Sequence, residues 1–380
     1  MCDCERYVSP LRRPRDVQRM NNYAFMIHPI EPQRDVARKF SLLGRLPPGV
    51  IGYFSSFFPP VLLSHMVGVR SAATGQEIEG WLVACPMTPR RMLQVPLASA
   101  YRKIVDTGRL AERMGARILG LGAFTGVVGD GGRTVSQRLS IPVTTGNSYT
   151  VAVAVEASVE AARCMGLEPA ESAVAVVGAS GSTGRACAQM LAGSAGQLIL
   201  VGRNMERLLG VQEEVSLLGA RVKATTRLEE IREADVVLCM TSSVDPIVMP
   251  EFLRSGAVVC DVSRPRSVSR RVADERDDVL VIEGGVVEAP GAADFGFDFG
   301  FPPGQVYACM AETMVLALEG RYESFSLGRE ISLDRVKEIA KLARKHGFRL
   351  SGFRSFERVL DKSEIDRIRE RAYERRHSTR

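Results

Sequence analysis

Three regularly spaced glycines are the residues of this sequence best suited to chemistry with phosphate groups. Gly178, Gly181 and Gly184 follow the apolar run 173–177, and residues typical of an amphipathic helix come next. Glycines let the backbone approach a pyrophosphate, and the first turn of a helix offers free N–H groups and a positive dipole end. Strand, glycine turn and helix in this order predict a dinucleotide site. A tight turn that only packs a helix on a strand is the alternative.

The end of the next predicted strand indicates which dinucleotide is bound. Gly202 and Arg203 stand where an acidic residue holds the ribose 2′-hydroxyl in NAD sites. Arginine suits a 2′-phosphate instead, which predicts NADPH, although solvated arginines at strand ends are common. The predicted cofactor-binding residues are Gly178, Ser180, Gly181, Ser182, Thr183, Gly184, Arg203, Asn204 and Thr241.

Cys309 is the candidate for covalent chemistry. Delivery of a hydride to an acyl group that the enzyme holds as a thioester requires a cysteine near the nicotinamide. Cys309 lies early in a predicted helix, after the break at 302–304 and downstream of the glycine turn. From its position alone, a small buried apolar residue is the commoner role. We find no Tyr-x-x-x-Lys helix, no suitable lysine–aspartate pair and no clustering of the four histidines, so we predict no metal site and do not favour a simple alcohol dehydrogenase.

The central region alternates short apolar runs with helical segments. Continuous apolar strands separated by helices are typical of a parallel sheet that is covered on both faces. We therefore predict an α/β fold built on a Rossmann-like, doubly wound parallel sheet of about six strands. The predicted strands are Val174–Val177, Leu198–Val201, Val222–Thr225, Val236–Met240, Val258–Val262 and Val279–Glu283.

The pattern divides the chain into four parts. Residues 1–45 are polar and arginine-rich, and we expect an irregular basic extension. We expect residues 46–150 to form a smaller N-terminal α/β domain that binds substrate, and residues 151–300 to form the Rossmann-like NADP-binding domain. Residues 301–380 are expected to be C-terminal helices that carry the candidate nucleophile and pack back on the first domain.

Length, charge and cysteine content narrow the class of protein. The 380 residues are enough for two domains, and an apolar fraction of 45% is ordinary for a globular protein. A net charge of +6 does not require nucleic acid as a partner, and it suits an acidic ligand or an acidic protein. We find neither a membrane-spanning run nor a secretory leader, and the eight cysteines are scattered, so we expect a cytoplasmic location and reduced thiols.

Several motifs together resemble those of a known enzyme family. In chain order they are TTGNSYT (144–150), VVGASG (176–181), EGGVVE (283–288), YACMAE (307–312), SLGR (326–329) and KHGF (345–348). Their order and spacing make residues 57–348 similar to the long-chain acyl-acyl-carrier-protein reductases known from cyanobacteria, which form fatty aldehydes with NADPH.

The resemblance implies a covalent mechanism and a class of substrate. It implies that Cys309 accepts the acyl chain from acyl carrier protein or coenzyme A, and that reduction then releases an aldehyde. Thr145, Asn147 and the backbone around Gly146 are candidate donors to the oxyanion, an ordinary turn before a helix being the alternative. One candidate partner is an aldehyde-consuming enzyme. The arginine-rich ends are candidates for contact with a membrane surface or an acidic carrier.

The sequence departs from the family pattern in two respects. The family carries histidine at the position of Tyr149 and again near Ala289. If one of these histidines is the proton donor of the family, then either Tyr149 replaces it here or the chemistry differs. The predicted catalytic residues are Cys309, Tyr149, Asn147 and Thr145. The phenylalanine-rich segment Phe295–Phe301 is also foreign to the pattern, and its rings either line an acyl tunnel or form a flap tucked on the core.

Two other functions stay open. A dehydrogenase of a small polar substrate, similar to the shikimate and quinate group, has a comparable nucleotide domain but needs the lysine–aspartate pair that we do not find. A non-catalytic NADP-binding protein is compatible with the missing histidines, but it has no use for the thiol of Cys309.

Overall fold

A computed structural model of the chain describes residues 20–30, 33, 35 and 46–378. Most of the expected basic extension at residues 1–45 lies outside the described residues. The strands are β1 Asn22–Ile27, β2 Val61–Arg70, β3 Glu77–Ala84, β4 Leu119–Leu121, β5 Val143–Thr144, β6 Ala173–Val177, β7 Gln197–Val201, β8 Val222–Thr225, β9 Val236–Cys239, β10 Val258–Asp261, β11 Leu280–Glu283, β12 Val286–Glu288, β13 Gly291–Asp294, β14 Gln305–Tyr307, β15 Arg349–Leu350, β16 Arg354–Ser355 and β17 Arg358–Val359.

The α-helices connect these strands and cover the sheets. They are α1 Pro48–Ser55, α2 Pro89–Gln94, α3 Leu97–Arg113, α4 Arg133–Ser136, α5 Asn147–Cys164, α6 Ser182–Leu191, α7 Met205–Ser216, α8 Arg270–Glu275, α9 Ala308–Leu318, α10 Leu333–His346 and α11 Lys362–Ser378. Among the described helices, none is both long enough and apolar enough to cross a bilayer.

The predicted doubly wound sheet is confirmed. Six strands lie in the order β8-β7-β6-β9-β10-β11, and every neighbouring pair is parallel. Both ends of each predicted strand fall within one residue of the observed ends. The prediction succeeds because short runs rich in valine, isoleucine and leucine are typical of strands that are buried on both faces of a parallel sheet. The order in which strands are added to the sheet reverses between β6 and β9, and this switch point opens a crevice at the carboxyl edge.

A second six-stranded sheet is mixed, with the order β13-β2-β3-β1-β4-β5. Its inner strand β1 is parallel to β3 and β4 and almost wholly buried. The expectation of an irregular extension over residues 1–45 is therefore wrong for Asn22–Ile27. This apolar run is short, and its pairing partners lie more than fifty residues further along the chain, so local pattern alone did not identify it.

The two regions are interleaved along the chain. After β11 the chain returns to the mixed sheet through β13, which pairs with β2, and this return lies before the predicted boundary at residue 300. Helix α9 then packs on β1, β3 and β4. Helix α11 instead lies against the doubly wound region, where Arg371 and Arg375 pair with Asp277. The expectation that the C-terminal helices pack on the first domain therefore does not extend to α11.

Helix α5 is the central connector of the fold. It packs against α6, α9 and α10 and against β10, and its alanines, valines and serines are buried. Small side chains allow helices to approach closely, which suits a helix that is covered on several sides. The first turn of α5 is thereby held beside the first turn of α9.

Candidate active site

A cleft of about 1660 Å³ opens at the carboxyl edge of the doubly wound sheet and is closed on its other side by the mixed sheet. The first turns of α5, α6 and α9 all reach it. The predicted site residues that line it are Thr145, Asn147, Gly178, Ser180, Gly181, Ser182, Thr183, Arg203, Thr241 and Cys309. The cleft therefore brings the glycine turn and the candidate nucleophile into one space.

The glycine turn has the shape that a dinucleotide requires. Gly178 has φ +88°, and a β-carbon there would lie 3.1 Å from Cα of Thr241 and closer to the carbonyl of Met240. Gly181 precedes α6, whose first residues Ser182 and Thr183 face the cleft. The N–H groups of a first helical turn have no intrahelical acceptors and attract phosphate oxygens. The residues present fit a pyrophosphate.

Two predicted cofactor residues, Gly184 and Asn204, do not line the cleft but stabilise the elements that do. A β-carbon on Gly184 would lie 2.8 Å from the carbonyl carbon of Gly178, so this glycine lets α6 pack against the turn. Asn204 caps α7, its side-chain oxygen accepting the N–H of Arg207 at 2.9 Å. Arg207 itself lines the cleft beside Arg203, and the sequence analysis did not identify it.

The cleft is strongly basic. Among the described residues its walls carry eight arginines and two carboxylates. The arginines are Arg90, Arg91, Arg203, Arg207, Arg264, Arg266, Arg270 and Arg329, and the carboxylates are Asp35 and Glu357. A concave surface of one charge attracts ligands of the opposite charge, so the cleft suits polyphosphorylated molecules.

Cys309 occupies the second position of α9 and faces the cleft while remaining partly buried. Burial raises the pKa of its thiol to about 12, and the nearby Glu312 adds to the rise. The backbone N–H groups of Met310 and Ala123 oppose it. The resting side chain is therefore a neutral thiol at pH 7, with two amide donors beside the sulfur.

Glu312 holds the turn before α5 against α9. Its carboxylate is fully buried, and it accepts the hydroxyl of Thr144 at 2.5 Å and the backbone N–H of Tyr149 at 2.9 Å. Burial raises the pKa of this carboxyl, while the bonds from Thr144 and Tyr149 oppose the rise. Glu312 lies one helical turn beyond Cys309, so these two hydrogen bonds fix the position of the thiol relative to Asn147.

The structure separates the roles of the two predicted oxyanion donors. The hydroxyl and the backbone N–H of Thr145 both donate to the carbonyl of Ser326, at 2.8 and 3.0 Å, so neither is free for a substrate. Asn147 is the first residue of α5 and lines the cleft, and among the described residues no hydrogen bond to its side chain is found. Thr145 therefore orders the turn, whereas the amide of Asn147 is available.

Tyr149 is buried on the far side of α5 and does not line the cleft. Burial raises the pKa of its phenol, with Glu156 adding to the rise and Arg344 opposing it. The ring therefore faces the contact between α5 and α10. Tyr149, predicted as a catalytic residue, does not line the cleft, because two residues after Asn147 the α-helical turn carries the side chain to the opposite face.

His28 lines the cleft and was missed because its segment was interpreted as an extension. Its Nε2 accepts the N–H of Phe124 at 2.9 Å, and its Nδ1 lies 3.2 Å from the carbonyl of Pro29. Both ring nitrogens are thus engaged, and Nε2 holds the turn that includes Ala123, whose N–H lies near the sulfur of Cys309. His28 supports the thiol site through the backbone.

Arg264 and Tyr307 are two further cleft residues that the sequence analysis did not identify. Arg264 follows β10 and Tyr307 ends β14, immediately before α9. The guanidinium carbon of Arg264 lies 5.5 Å from the centre of the Tyr307 ring. The signal was present in the YACMAE motif, where Tyr307 precedes Cys309 by two residues.

The phenylalanine-rich segment Phe295–Phe301 places some rings in the cleft and others in the core, which are the two alternatives that the sequence left open. Phe297 and Phe299 line the cleft, whereas Phe295 is buried in the core. Their rings form a chain of edge-on contacts, Phe299 lying 6.1 Å from Phe295 and 5.1 Å from Phe297. Tyr307 continues this chain, since its ring lies 6.4 Å from Phe299 and 4.7 Å from Phe301. An apolar aromatic wall therefore borders the part of the cleft that holds Cys309.

Comparisons with known proteins agree with this architecture. The sequence profile of the shikimate/quinate 5-dehydrogenase family matches residues 160–283, which contain the doubly wound sheet. The chain is 33% identical over 304 residues to the aminotransferase PigE of Serratia sp., a match that covers 78% of this chain and 35% of that protein. The chain thus spans about a third of the length of that relative.

A second relative is matched over nearly its whole length. The long-chain acyl-[acyl-carrier-protein] reductase of Synechococcus elongatus is 29% identical over 334 residues, which are 84% of this chain and 95% of that protein. Among solved structures, L-tryptophan dehydrogenase from Nostoc punctiforme covers 93% of this chain and 87% of its own, with 13% identity and a TM-score of 0.40.

Fold, site and relatives together define a class. The chain has a Rossmann-type fold with a cleft shaped for a dinucleotide, and it is similar to NAD(P)-dependent oxidoreductases. The cleft residues fit NADPH, the cofactor type of its relatives, and the chain is similar to the acyl-acyl-carrier-protein reductase named above.

Proposed function

We propose that this protein is an NADPH-dependent reductase that converts a fatty acyl thioester, of acyl carrier protein or coenzyme A, to an aldehyde through an acyl-enzyme on Cys309. The observation that carries the proposal is the position of this thiol in the same cleft as the glycine turn. The near full-length match to an acyl-acyl-carrier-protein reductase supports the same chemistry.

The first half-reaction is a thioester exchange. The sulfur of Cys309 attacks the acyl carbon, a new C–S bond forms, and the carrier leaves as a thiol that takes up the proton lost by Cys309. Because the pKa of the resting thiol is about 12, the thiol is neutral before the reaction and loses its proton during the attack. The amides of Ala123 and Met310 stabilise the negative charge on the sulfur.

The second half-reaction releases the product. Gly178–Thr183 would hold the pyrophosphate of NADPH and Arg203 and Arg207 its 2′-phosphate, and the bound cofactor would supply the hydride. The side-chain amide of Asn147 donates to the substrate oxygen as negative charge develops on it. Breakage of the C–S bond then returns the electron pair to the sulfur of Cys309 and frees the aldehyde.

The aromatic wall supports a fatty substrate. Phe297 and Phe299 line the cleft together with Val61 and Leu63. Each methylene of an acyl chain that leaves water for such a surface contributes about 0.8 kcal/mol. The same rings keep water away from the thioester on Cys309, which protects it from hydrolysis.

The test is intact-protein mass spectrometry after incubation with palmitoyl-CoA in the absence of NADPH. We expect one adduct of palmitoyl mass that maps to Cys309 and disappears when NADPH is added. Cys309→Ser should form no adduct, whereas Cys164→Ser, which removes another partly buried cysteine outside the cleft, should behave like the wild type. No adduct with any chain length or carrier would reject the proposal.

One observation favours a second candidate. The shikimate/quinate 5-dehydrogenase profile matches residues 160–283, which would suit an NADP-dependent dehydrogenase of a small polar substrate. This segment ends before Cys309 and contains none of the mixed sheet. Oxidation of shikimate or quinate with NADP⁺ by Cys309→Ser, at the wild-type rate, would establish this candidate; NADPH binding with neither activity would indicate a non-catalytic binding protein.

A further inference from the structure

The reaction proposed above needs a proton donor for the substrate oxygen, and Tyr149 is not in the cleft. Three other cleft residues already have their polar atoms engaged. Both nitrogens of His28 hold backbone groups, the hydroxyl of Thr145 donates to Ser326, and that of Thr150 donates to Gly146. Tyr53 also lines the cleft but is about half exposed to solvent.

Tyr307 is a phenol that lines the same cleft as the thiol and precedes it by two residues. Its backbone is fixed by antiparallel pairing of β14 with β12, where Tyr307 lies opposite Val286. Its ring packs edge-on against Phe301 at 4.7 Å and Phe299 at 6.4 Å. Two residues later α9 presents Cys309, and all of these side chains except Val286 and Phe301 line the cleft. The phenol is therefore immobilised at the apolar wall.

Arg264 places a permanent positive charge at this ring. Its side chain is only 12% exposed, and its guanidinium donates to the carbonyl of Ser263 at 2.9 Å. Burial disfavours this charge, but Tyr307, Glu283 and Asp261 together raise the pKa of Arg264 above its ordinary value. With its guanidinium carbon 5.5 Å from the centre of the ring, Arg264 is placed to stabilise negative charge that develops on the phenol oxygen during proton transfer.

We propose that Tyr307, assisted by Arg264, donates the proton to the substrate oxygen of the tetrahedral adduct on Cys309. The assignment rests on the proposed function. After hydride has been added to the acyl carbon, this carbon bears a negatively charged oxygen and is still bonded to the sulfur of Cys309. The hydroxyl of Tyr307 gives its proton to that oxygen, and Arg264 faces the resulting phenolate. As the C–S bond breaks, the proton returns to Tyr307, the oxygen becomes the aldehyde carbonyl, and the electron pair remains on the sulfur, which takes a proton from water.

The test separates acylation of Cys309 from release of the aldehyde. Tyr307→Phe keeps the ring and its packing and removes only the hydroxyl. With palmitoyl-CoA and NADPH we expect aldehyde formation to fall by about 100- to 1000-fold. We also expect the palmitoyl adduct to accumulate on Cys309, the rate of acylation without NADPH to stay within about threefold, and the Kd for NADPH to be unchanged.

Matched variants make the outcome specific. Tyr373→Phe removes a phenol that is 63% exposed on α11 and should match the wild type in every measurement. Arg264→Gln should also accumulate the adduct, and Arg264→Lys, which keeps the charge, should restore part of the rate. Wild-type aldehyde formation by Tyr307→Phe would overturn this assignment alone. Failure of the wild type itself to form an adduct would instead reject the proposed function, and this assignment with it.

Discussion

Gly146 and Cys309 are in direct backbone contact, although 163 residues separate them. A β-carbon on Gly146 would lie 2.5 Å from Cβ of Cys309 and nearer still to its Cα, and Gly146 has φ +71°. Only glycine combines this close approach with this backbone conformation at low cost. The contact joins the turn before α5 to the first turn of α9, so the amide of Asn147 and the thiol share one rigid support.

Gly146→Ala tests this support. The substitution introduces both a strained backbone and a collision, and we expect a loss of about 2–4 kcal/mol in the free energy of unfolding. The control is Gly75→Ala, because Gly75 has φ +68° with open space around the new β-carbon. That variant should lose about 1–2 kcal/mol from strain alone. Equal losses in urea denaturation would show that the contact with Cys309 is not tight.

Arg203→Ala tests the choice of cofactor. Arg203 is exposed at the cleft beside Arg207, and loss of a charge-assisted hydrogen bond to a 2′-phosphate costs about 1.5–3 kcal/mol. We expect the Kd for NADPH to rise at least tenfold while that for NADH changes little, as measured by fluorescence titration. Arg109→Ala, which removes the same charge from the surface of α3, should change neither value. A parallel rise for both dinucleotides would exclude Arg203 from the phosphate site.

His28 should make the protein less stable in mild acid. Burial lowers the pKa of this imidazole to about 4, although the bond to Pro29 and the charge of Asp35 oppose the shift. The unfolded chain binds the proton at about pH 6.5. Stability from the neutral ring is therefore complete above that pH and is lost as pH falls toward 4. The loss should reach about 3 kcal/mol.

His28→Gln isolates this effect from the titration of carboxylates. Glutamine offers an oxygen to the N–H of Phe124 but does not titrate, so its variant should lack the acid-sensitive part of the curve. Urea unfolding of both proteins at several values between pH 4 and 7 measures the difference. A difference that does not vary with pH would show that the folded protein accepts the proton on His28 freely.

The thiol of Cys309 should react slowly at neutral pH. Because its pKa is about 12, the thiolate fraction should rise about tenfold per pH unit between pH 7 and 10. Iodoacetamide labelling of the Cys309 peptide, followed by mass spectrometry, should show the same rise. The same peptide in urea should level off above about pH 9. The wholly buried Cys187, Cys239 and Cys260 should label more slowly. A plateau below pH 9 in the folded protein would mean that the thiol is already activated.

Local sequence was sufficient for the nucleotide half of the molecule. The run Ala173–Val177 and the glycines after it specify strand, turn and helix among near neighbours in the chain, and parallel strands of that type have few other ways to be buried. The same local pattern was sufficient to place Gly178 directly after β6 and Arg203 just after β7. These residues needed no knowledge of distant contacts.

The tertiary structure alone decided which polar side chains are free to act. Thr145 and Tyr149 stand in the same motif as Asn147, yet Ser326 occupies the donors of Thr145 and helix α10 covers Tyr149. Arg264 and Tyr307 are brought together from strands 43 residues apart, and His28 reaches the site from a strand at the start of the described chain. A hydrogen-bond donor has one partner at a time, and only the fold determines whether that partner is the protein or the substrate.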